Sequence, residues 1–124
     1  MTQILEEVTK EAIINFQEKA KANQIIIIKF TATWCAPCQR IKSECYEWFA
    51  KLPKNIICAD IDIDEHIDLY VARKSKKMVN GIPALLAYYG GKQDNWYIPN
   101  DSVSGADINK VNQFFERCVA KSLT

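Results

Sequence analysis

Two cysteines three positions apart, Cys35 and Cys38, are the residues of this sequence with the clearest chemical potential. They lie in the pentapeptide Trp34-Cys35-Ala36-Pro37-Cys38, which follows an apolar, strand-like run. The segment after them has the apolar spacing of a helix. Two thiols at a helix start can interconvert dithiol and disulfide, because the free amides and the helix dipole favour a thiolate there. This chemistry requires no metal and no organic cofactor.

Zinc ligation and two inert buried thiols are the alternatives for this pair. A zinc site usually needs a second pair of Cys or His ligands. His66 is the only histidine, and no other two cysteines are close in sequence. The remaining cysteines, Cys45, Cys58 and Cys118, bring the total to five, an odd and scattered set that argues against a disulfide framework. We expect these three to be small buried hydrophobic residues, and we expect no metal site.

Length and charge exclude several classes of protein. The chain has 124 residues, enough for one domain with its own core, and we expect a single domain over residues 1–124. The formal net charge of +1 gives no reason to expect nucleic acid or a membrane surface as a partner. The longest apolar stretch, residues 24–30, is too short to span a bilayer. The N-terminus carries acids where a signal peptide carries bases, so we expect a cytoplasmic location.

Apolar periodicity predicts the elements that must position the two thiols. A helix of about Lys10–Ala22 precedes a strand over 24–31 that is apolar on both faces, as in a parallel sheet covered by helices. One helix over about 35–52 contains the thiols. The later predictions are a strand over 55–63, a helix opened by Asp64 and Glu65 and ended by the cationic run 73–77, a strand over 83–89, a Gly90-Gly91 turn, a return strand over 96–98 and a helix capped by Asp107. Residues 2–8 are a candidate edge strand.

Three segments of the chain together resemble the thioredoxin family. They are the run from Phe30 to Cys38, the segment Gly81-Ile82-Pro83-Ala84-Leu85-Leu86, and Gly105-Ala106 before the last amphipathic helix. Their order and separation match the family over nearly the whole chain. The resemblance implies an α/β thioredoxin fold, with a central mixed sheet of four to five strands flanked by about four helices.

The resemblance implies a role for each residue of the pentapeptide. Cys35, as the more exposed sulfur, is the expected nucleophile that attacks a target disulfide and forms a mixed disulfide. Cys38, more buried, is expected to resolve that intermediate. Pro37 has a restricted φ and no N–H, which suits the first helical turn. Ala36 stands where the family more often has glycine, so we expect a modestly different redox potential.

Other expected substrate-binding residues surround the cysteines. Pro83 resembles the family's cis proline, which presents the backbone of Ile82 to a bound peptide. Trp34 is expected to offer a flat aromatic contact. Gly105 and Ala106 are expected to form a third loop, where small residues permit close approach of a substrate backbone. The alternatives from the residues alone are a trans proline, a tryptophan packed in the core and a simple turn.

Lys29 departs from the family pattern. It stands where the family usually has a buried aspartate that exchanges a proton with the second cysteine, and Asp60 stands where many members have lysine. We hypothesise a swapped charge pair of Lys29 and Asp60 beneath the active site. Either an ammonium group would stabilise the Cys38 thiolate, or a neutral amine would take its proton. The alternative is that Lys29 extends its amine to solvent at the end of the sheet.

Three further departures concern the surroundings of the motif. Thr31 replaces a frequent second tryptophan, which predicts a thinner and more polar wall near the cysteines. Ser43 replaces a frequent helix-kinking proline, which predicts a straighter helix. The stretch between Gly91 and Gly105 is longer than usual, and its aromatic residues either recognise a partner or pack locally.

The sequence therefore predicts a disulfide oxidoreductase that reduces disulfides in client proteins. We expect it to act as a monomer, without a cofactor, and to be re-reduced by an electron donor such as a thioredoxin reductase. The alternatives are a thiol oxidase or isomerase of the same fold, and a partner-binding module with incidental thiols. The N-terminal composition argues against the first, and the intact Cys35 and Cys38 pair argues against the second.

Overall fold

A fully buried strand, β2, forms the centre of the sheet and leads into the cysteine motif. The computed structural model describes residues 4–68, 70–71, 81–91 and 95–124. The strands are β1 (Ile4–Leu5), β2 (Ile25–Thr31), β3 (Ile56–Asp62), β4 (Ala84–Tyr89) and β5 (Asp101–Ser104). The helices are α1 (Lys10–Lys19), α2 (Ala36–Arg40), α3 (Lys42–Lys51) and α4 (Ile108–Ser122).

The strand order is β1-β3-β2-β4-β5, and the sheet is mixed. β2 pairs with β3 in parallel and with β4 antiparallel, and β5 pairs antiparallel with β4. This arrangement confirms the predicted fold class. Since β2 and β3 are parallel, their carboxyl ends lie at the same edge of the sheet, where the cysteine motif begins.

The two faces of the sheet carry separate core clusters. The first core cluster contains Ile28 and Phe30 of β2 together with Cys35 and Cys38. The second core cluster contains Ile27 of β2 and the apolar faces of α3 and α4. Successive side chains of a strand point to opposite faces, so the unbroken apolar run of β2 supplies both clusters.

The single helix predicted over 35–52 is wrong, and so is the expectation that Ser43 makes it straighter. The chain leaves α2 and begins α3 at Ile41, which has φ −97° and ψ 0°. Cys38 belongs to the first core cluster, whereas Ile41 and Cys45 belong to the second. A break without proline lets the two short helices direct these side chains to different clusters.

The return strand predicted at residues 96–98 is also wrong, because β5 begins only at Asp101. Trp96 instead packs against the first core cluster, and its carbonyl accepts a hydrogen bond of 3.1 Å from the Gln17 side chain. The Tyr97 carbonyl accepts one of 2.8 Å from the Tyr88 hydroxyl. Residues 96 and 97 are thus held against the core near α1, as predicted by the alternative that the aromatic residues of this stretch pack locally.

The helix predicted after Asp64 lies partly in the described residues. Ile67, Asp68, Tyr70 and Val71 have helical backbone. The cationic run at 73–77 and Leu69 lie outside the described residues. At the other end of the chain, Asp107 caps α4 as predicted, accepting hydrogen bonds from the N–H groups of Asn109 and Lys110.

Gly90 offers a test of the packing between the end of β4 and the end of α1. A Cβ atom at this position would overlap the carbonyl oxygen of Lys21 and lie 2.7 Å from that of Ala20. We expect Gly90→Ala to lower the free energy of unfolding by about 2 kcal/mol or more, measured by urea denaturation.

Gly91→Ala is the matched control for this substitution. Gly91 has φ +115° but no atom within 4 Å of an added Cβ, so its replacement costs backbone strain alone, about 1 kcal/mol. A Gly90 variant no less stable than the Gly91 variant would contradict the predicted overlap.

Candidate active site

The end of β2 and the start of α2 hold the reactive pair. Cys35 is the N-cap residue of α2, and its sulfur accepts a hydrogen bond of 3.2 Å from the N–H of Cys38. Pro37 lies in the first turn of α2, where its missing N–H costs nothing. An N–H group directed at the Cys35 sulfur favours its thiolate when the pair is reduced.

Cys35 and Cys38 form a disulfide, with their Cα atoms 5.2 Å apart. The other three cysteines, all within the described residues, are free and buried. The structure therefore shows the oxidised state of the pair predicted from the motif. Neither of these two sulfurs is an isolated, inert thiol.

Cys35 is more accessible than Cys38, as predicted, although the difference is small. Cys35 is 5% exposed and Cys38 is fully buried. The neighbouring Trp34 is 66% exposed and forms the most accessible apolar surface beside the disulfide. Trp34 is therefore available for contact with a partner that approaches Cys35.

Two other loops approach the cysteine motif from the β4 side of β2. The Ile82–Pro83 peptide bond is cis, as the resemblance implied. The Ile82 carbonyl lies 3.8 Å from the Cys35 sulfur, and the Pro83 carbonyl accepts a hydrogen bond of 2.9 Å from the N–H of Gly105. Ala106 packs partly against the second core cluster. The three segments that carried the resemblance are thus linked: Ile82 lies beside the Cys35 sulfur, and Gly105 is hydrogen-bonded to Pro83.

The Trp34 side chain is held by Asp64, a residue outside the predicted site. Its indole N–H donates a hydrogen bond of 2.9 Å to the carboxylate of Asp64, which follows β3. From its sequence position, Asp64 was expected only to open a helix. Its position directly after a strand parallel to β2 is the signal that could have identified it, because both strands end at the same edge.

The hypothesised pair of Lys29 and Asp60 is present. The two residues are opposite each other in the register of β2 and β3, and Lys29 Nζ lies 3.2 Å from Asp60 Oδ1. Lys29 is 1% exposed and Asp60 12% exposed, so the lysine does not extend to solvent. The second carboxylate oxygen of Asp60 accepts a hydrogen bond from the hydroxyl of Tyr46. The contact of Tyr46 with Asp60 has no signal in the sequence, since it depends on how α3 crosses β3.

A small polar cavity connects this charge pair to the motif. Its volume is about 140 Å³, room for about four water molecules. It is lined by Lys29, Thr31, Ala32, Thr33, Gln39, Lys42, Asp60 and Asp62. The predicted polar character of the wall at Thr31 is thus seen on the side of the cavity, directly below the turn that precedes Cys35.

Burial makes the three free thiols poor nucleophiles. It raises the pKa of Cys45 to about 12, even though the positive charge of Lys29 acts to lower it. Burial likewise raises the pKa values of Cys58 and Cys118 to about 12. These thiols are the small buried core residues that the sequence predicted.

Two further kinds of site concern residues 4–68, 70–71, 81–91 and 95–124, the part of the chain that the structure describes. Within these ranges, His, Cys, Asp and Glu side chains form no cluster of three or more that could hold a metal ion. In the same part of the chain, no helix has both the length and the apolar character needed to cross a bilayer.

Comparison with known proteins relates this geometry to one family. The family model described as Thioredoxin matches residues 6–116. A thioredoxin from Coprinus comatus is 34% identical over 107 residues, 85% of this chain and 91% of that protein. A thioredoxin from Geodia cydonium is 30% identical over 87 residues, 70% of this chain and 77% of that protein. The crystal structure of Plasmodium falciparum thioredoxin has a similar fold, with a TM-score of 0.66, 23% identity and coverage of 94% of this chain and 91% of that one.

The differences in burial and pKa predict selective alkylation. With the pair reduced, iodoacetamide near pH 7 should label Cys35 first and leave the three free thiols unmodified. At a pKa of about 12, only about one in 10⁵ of each free thiol is ionised at that pH. Peptide mass mapping measures the result, and denatured protein, in which all five cysteines react, is the control. Labelling of Cys45, Cys58 or Cys118 ahead of Cys35 would contradict the assignment.

Proposed function

This chain belongs to the thioredoxin family and is a disulfide oxidoreductase, and from that premise we propose that it reduces disulfide bonds in client proteins. The observation that carries the proposal is the Cys35–Cys38 disulfide at the start of α2, beside the Ile82 carbonyl. The disulfide is the oxidised product of such a reaction, and its reduced form is the reagent.

The reaction proceeds by two exchanges in which atoms and electrons balance. The Cys35 thiolate attacks one sulfur of the client disulfide, the client S–S bond breaks, and the second client sulfur leaves as a thiolate that takes a proton from water. The Cys38 thiolate then attacks the Cys35 sulfur and displaces the first client sulfur. Two electrons pass to the client, and the pair becomes the disulfide.

The position of Cys38 makes the second exchange efficient. Its backbone N–H already contacts the Cys35 sulfur, so the resolving group is held next to the mixed disulfide. An intramolecular nucleophile in this geometry acts at a high effective concentration. Since Cys35 is only 5% exposed, thiols in solution have little access to its sulfur.

The client segment is proposed to lie across the surface made by the three loops. Trp34 supplies a flat, exposed aromatic contact, and Ala36 and Pro37 flank the sulfurs. The backbone of Ile82 at the cis bond with Pro83 pairs with the client in an extended conformation. Gly105, exposed and with φ +91°, allows the client backbone to pass close, next to Ala106.

The partners and compartment are part of the same proposal. The disulfide must be re-reduced after each cycle, and we assign that step to an electron donor such as a thioredoxin reductase. Transfer of electrons in this direction requires a reducing compartment, and we propose the cytoplasm. The protein acts as a monomer in this scheme.

Single-cysteine variants test the proposal directly. Cys35→Ser should abolish the reduction of insulin disulfides in the presence of dithiothreitol, because the attacking thiolate is lost. Cys38→Ser should slow turnover at least about 100-fold and accumulate a mixed disulfide between Cys35 and the client. Non-reducing gels and mass spectrometry measure the adduct.

Cys45→Ser is the matched control for loss of a thiol. It removes a buried thiol outside the pair and should retain the reductase activity of the folded fraction. Full insulin reduction by Cys35→Ser would refute the proposed function. Formation of disulfides in reduced clients at a faster rate than their reduction would instead favour the oxidase alternative.

A further inference from the structure

A groove opens between the start of α1 and the segment after β3. Its volume is about 580 Å³, a size typical of binding clefts. Its lining includes four carboxylates and two large apolar side chains, those of Glu7, Glu11, Glu65, Asp68, Ile67 and Trp96. We call it the acidic groove, and we propose that it binds a segment of the client protein in which basic side chains flank an apolar one. The inference rests on the proposed function and gives it a class of client.

The parallel strands place the acidic groove at the same edge of the sheet as the active site. β1 and β2 both pair in parallel with β3, so the carboxyl ends of all three strands share one edge. Cys35 follows β2, Glu7 follows β1 and Glu65 follows β3. Asp64, which accepts the hydrogen bond from the Trp34 indole, directly precedes Glu65. The groove therefore extends the proposed client surface from Trp34 towards α1.

The apolar part of the groove offers a surface that is ordered before a client binds. Ile67 is 55% exposed, although it is a large apolar residue. Trp96 is partly exposed in the groove and also packs against the first core cluster. The buried Gln17 side chain holds the Trp96 carbonyl, which fixes this wall against α1. A client side chain that covers Ile67 removes apolar surface from water, and little ordering of the groove opposes it.

The rim of the groove is negative although the chain is close to neutral. With histidine counted as neutral, its four carboxylates face a single ammonium group, that of Lys10, whereas the formal net charge of the whole chain is +1. All four acidic residues are exposed, and within the described part of the chain none of them forms an ion pair. Carboxylates gathered along a cleft attract cationic segments and repel anionic ones. The groove thus complements a basic client segment.

The groove already holds one cation against an aromatic ring. The amine of Lys10 lies over the Trp96 ring, 5.6 Å from its centre. A lysine or arginine of the client would be recognised by the same ring. Because Lys10 is exposed at the first position of α1, it can give up this place to a client cation. Lys10 is therefore a competitor for the client, which gives the proposal a prediction of definite sign.

Direct binding tests the inference without thiol chemistry. The probes are two fluorescein-labelled, cysteine-free peptides with a central leucine, flanked by lysines in one and by glutamates in the other. Fluorescence anisotropy with the oxidised protein at low ionic strength should show that the basic peptide binds at least about 10-fold more tightly. Its affinity should fall in about 0.5 M NaCl, because salt screens exposed charges. Equal affinities of the two peptides would overturn the inference. No disulfide is reduced, so this failure is distinguishable from a failure of the proposed function, which insulin reduction tests.

Substitutions at the rim localise the effect. Glu7→Gln/Glu11→Gln/Asp68→Asn should weaken binding of the basic peptide at least about fivefold, because three attractive charges are lost. Lys10→Ala should instead tighten binding about twofold or more, because the competing cation is removed. Weaker binding by the Lys10→Ala protein would contradict the proposed place of the client cation.

A second triple variant is the matched control for net charge. Glu18→Gln/Glu47→Gln/Glu116→Gln removes three exposed carboxylates of α1, α3 and α4 that do not line the groove. It changes the net charge by the same amount and should weaken binding less than about twofold. An equal loss in the two triple variants would reveal a general attraction by the whole protein and would overturn the groove as the binding site.

The apolar contact has its own test. Ile67→Ser should weaken binding of the basic peptide at least about threefold, whereas Leu123→Ser, at an exposed apolar residue after α4, should not change it. An Ile67→Ser protein that binds as tightly as the unmodified chain would contradict the apolar part of the proposal. Sedimentation velocity distinguishes the other occupant: a dimer that is lost in the rim variant would assign the groove to a second copy of this chain and overturn the client assignment.

Reduction kinetics connect the groove to the proposed function. Two disulfide-linked peptides that differ only in a basic or an acidic flanking segment serve as clients. The unmodified chain should reduce the basic client with a kcat/KM at least about fivefold higher, and this ratio should fall towards one in the rim variant. A ratio of one in the unmodified chain would overturn the groove as a determinant of client choice, while reduction of both clients would still support the proposed function.

Discussion

β2 is hydrogen-bonded along both edges and covered on both faces, and this confinement is the constraint on which the site depends. Its side chains supply both core clusters, so a slip of one residue would exchange the two clusters and bury the wrong face. The register of β2 in the sheet is therefore fixed, and with it the place of its carboxyl end. Cys35 follows it after a short turn, and the loops of Ile82 and Gly105 reach the same point because β4 and β5 are paired to the same sheet.

The same confinement explains the electrostatics of the site. Lys29 is buried in β2 between the apolar residues Ile28 and Phe30, where a charged side chain is costly unless an adjacent strand supplies a partner. The parallel register supplies Asp60 directly opposite. α3 then adds Tyr46, which it can do because the chain turns at Ile41 and sends α3 across β3. The reactive cysteines and the buried charge pair thus both depend on the carboxyl end of β2, a strand that is covered on both faces.

Much of the site could be predicted because its signals are local or lie in strands with clear patterns. The spacing of Cys35 and Cys38 and the apolar run before them located the chemistry. Pairing of Lys29 with Asp60 could be foreseen because the family resemblance placed the two residues in neighbouring strands, with their charges exchanged. The errors fell where local patterns were ambiguous: Ile41 fits a continuous helix, and Trp96 fits a strand by composition although its ring packs on the core near α1.

By itself, the sequence determined the central strands β2, β3 and β4, the reactive pair and the burial of the remaining thiols, since these depend on residue type and periodicity along the chain. The tertiary structure alone decided that Asp64 holds Trp34, that Tyr46 holds Asp60, and that α2 and α3 are separate helices. Each of these depends on how elements distant in sequence cross one another. Packing between faces sets such crossings, and no local pattern of residues records them.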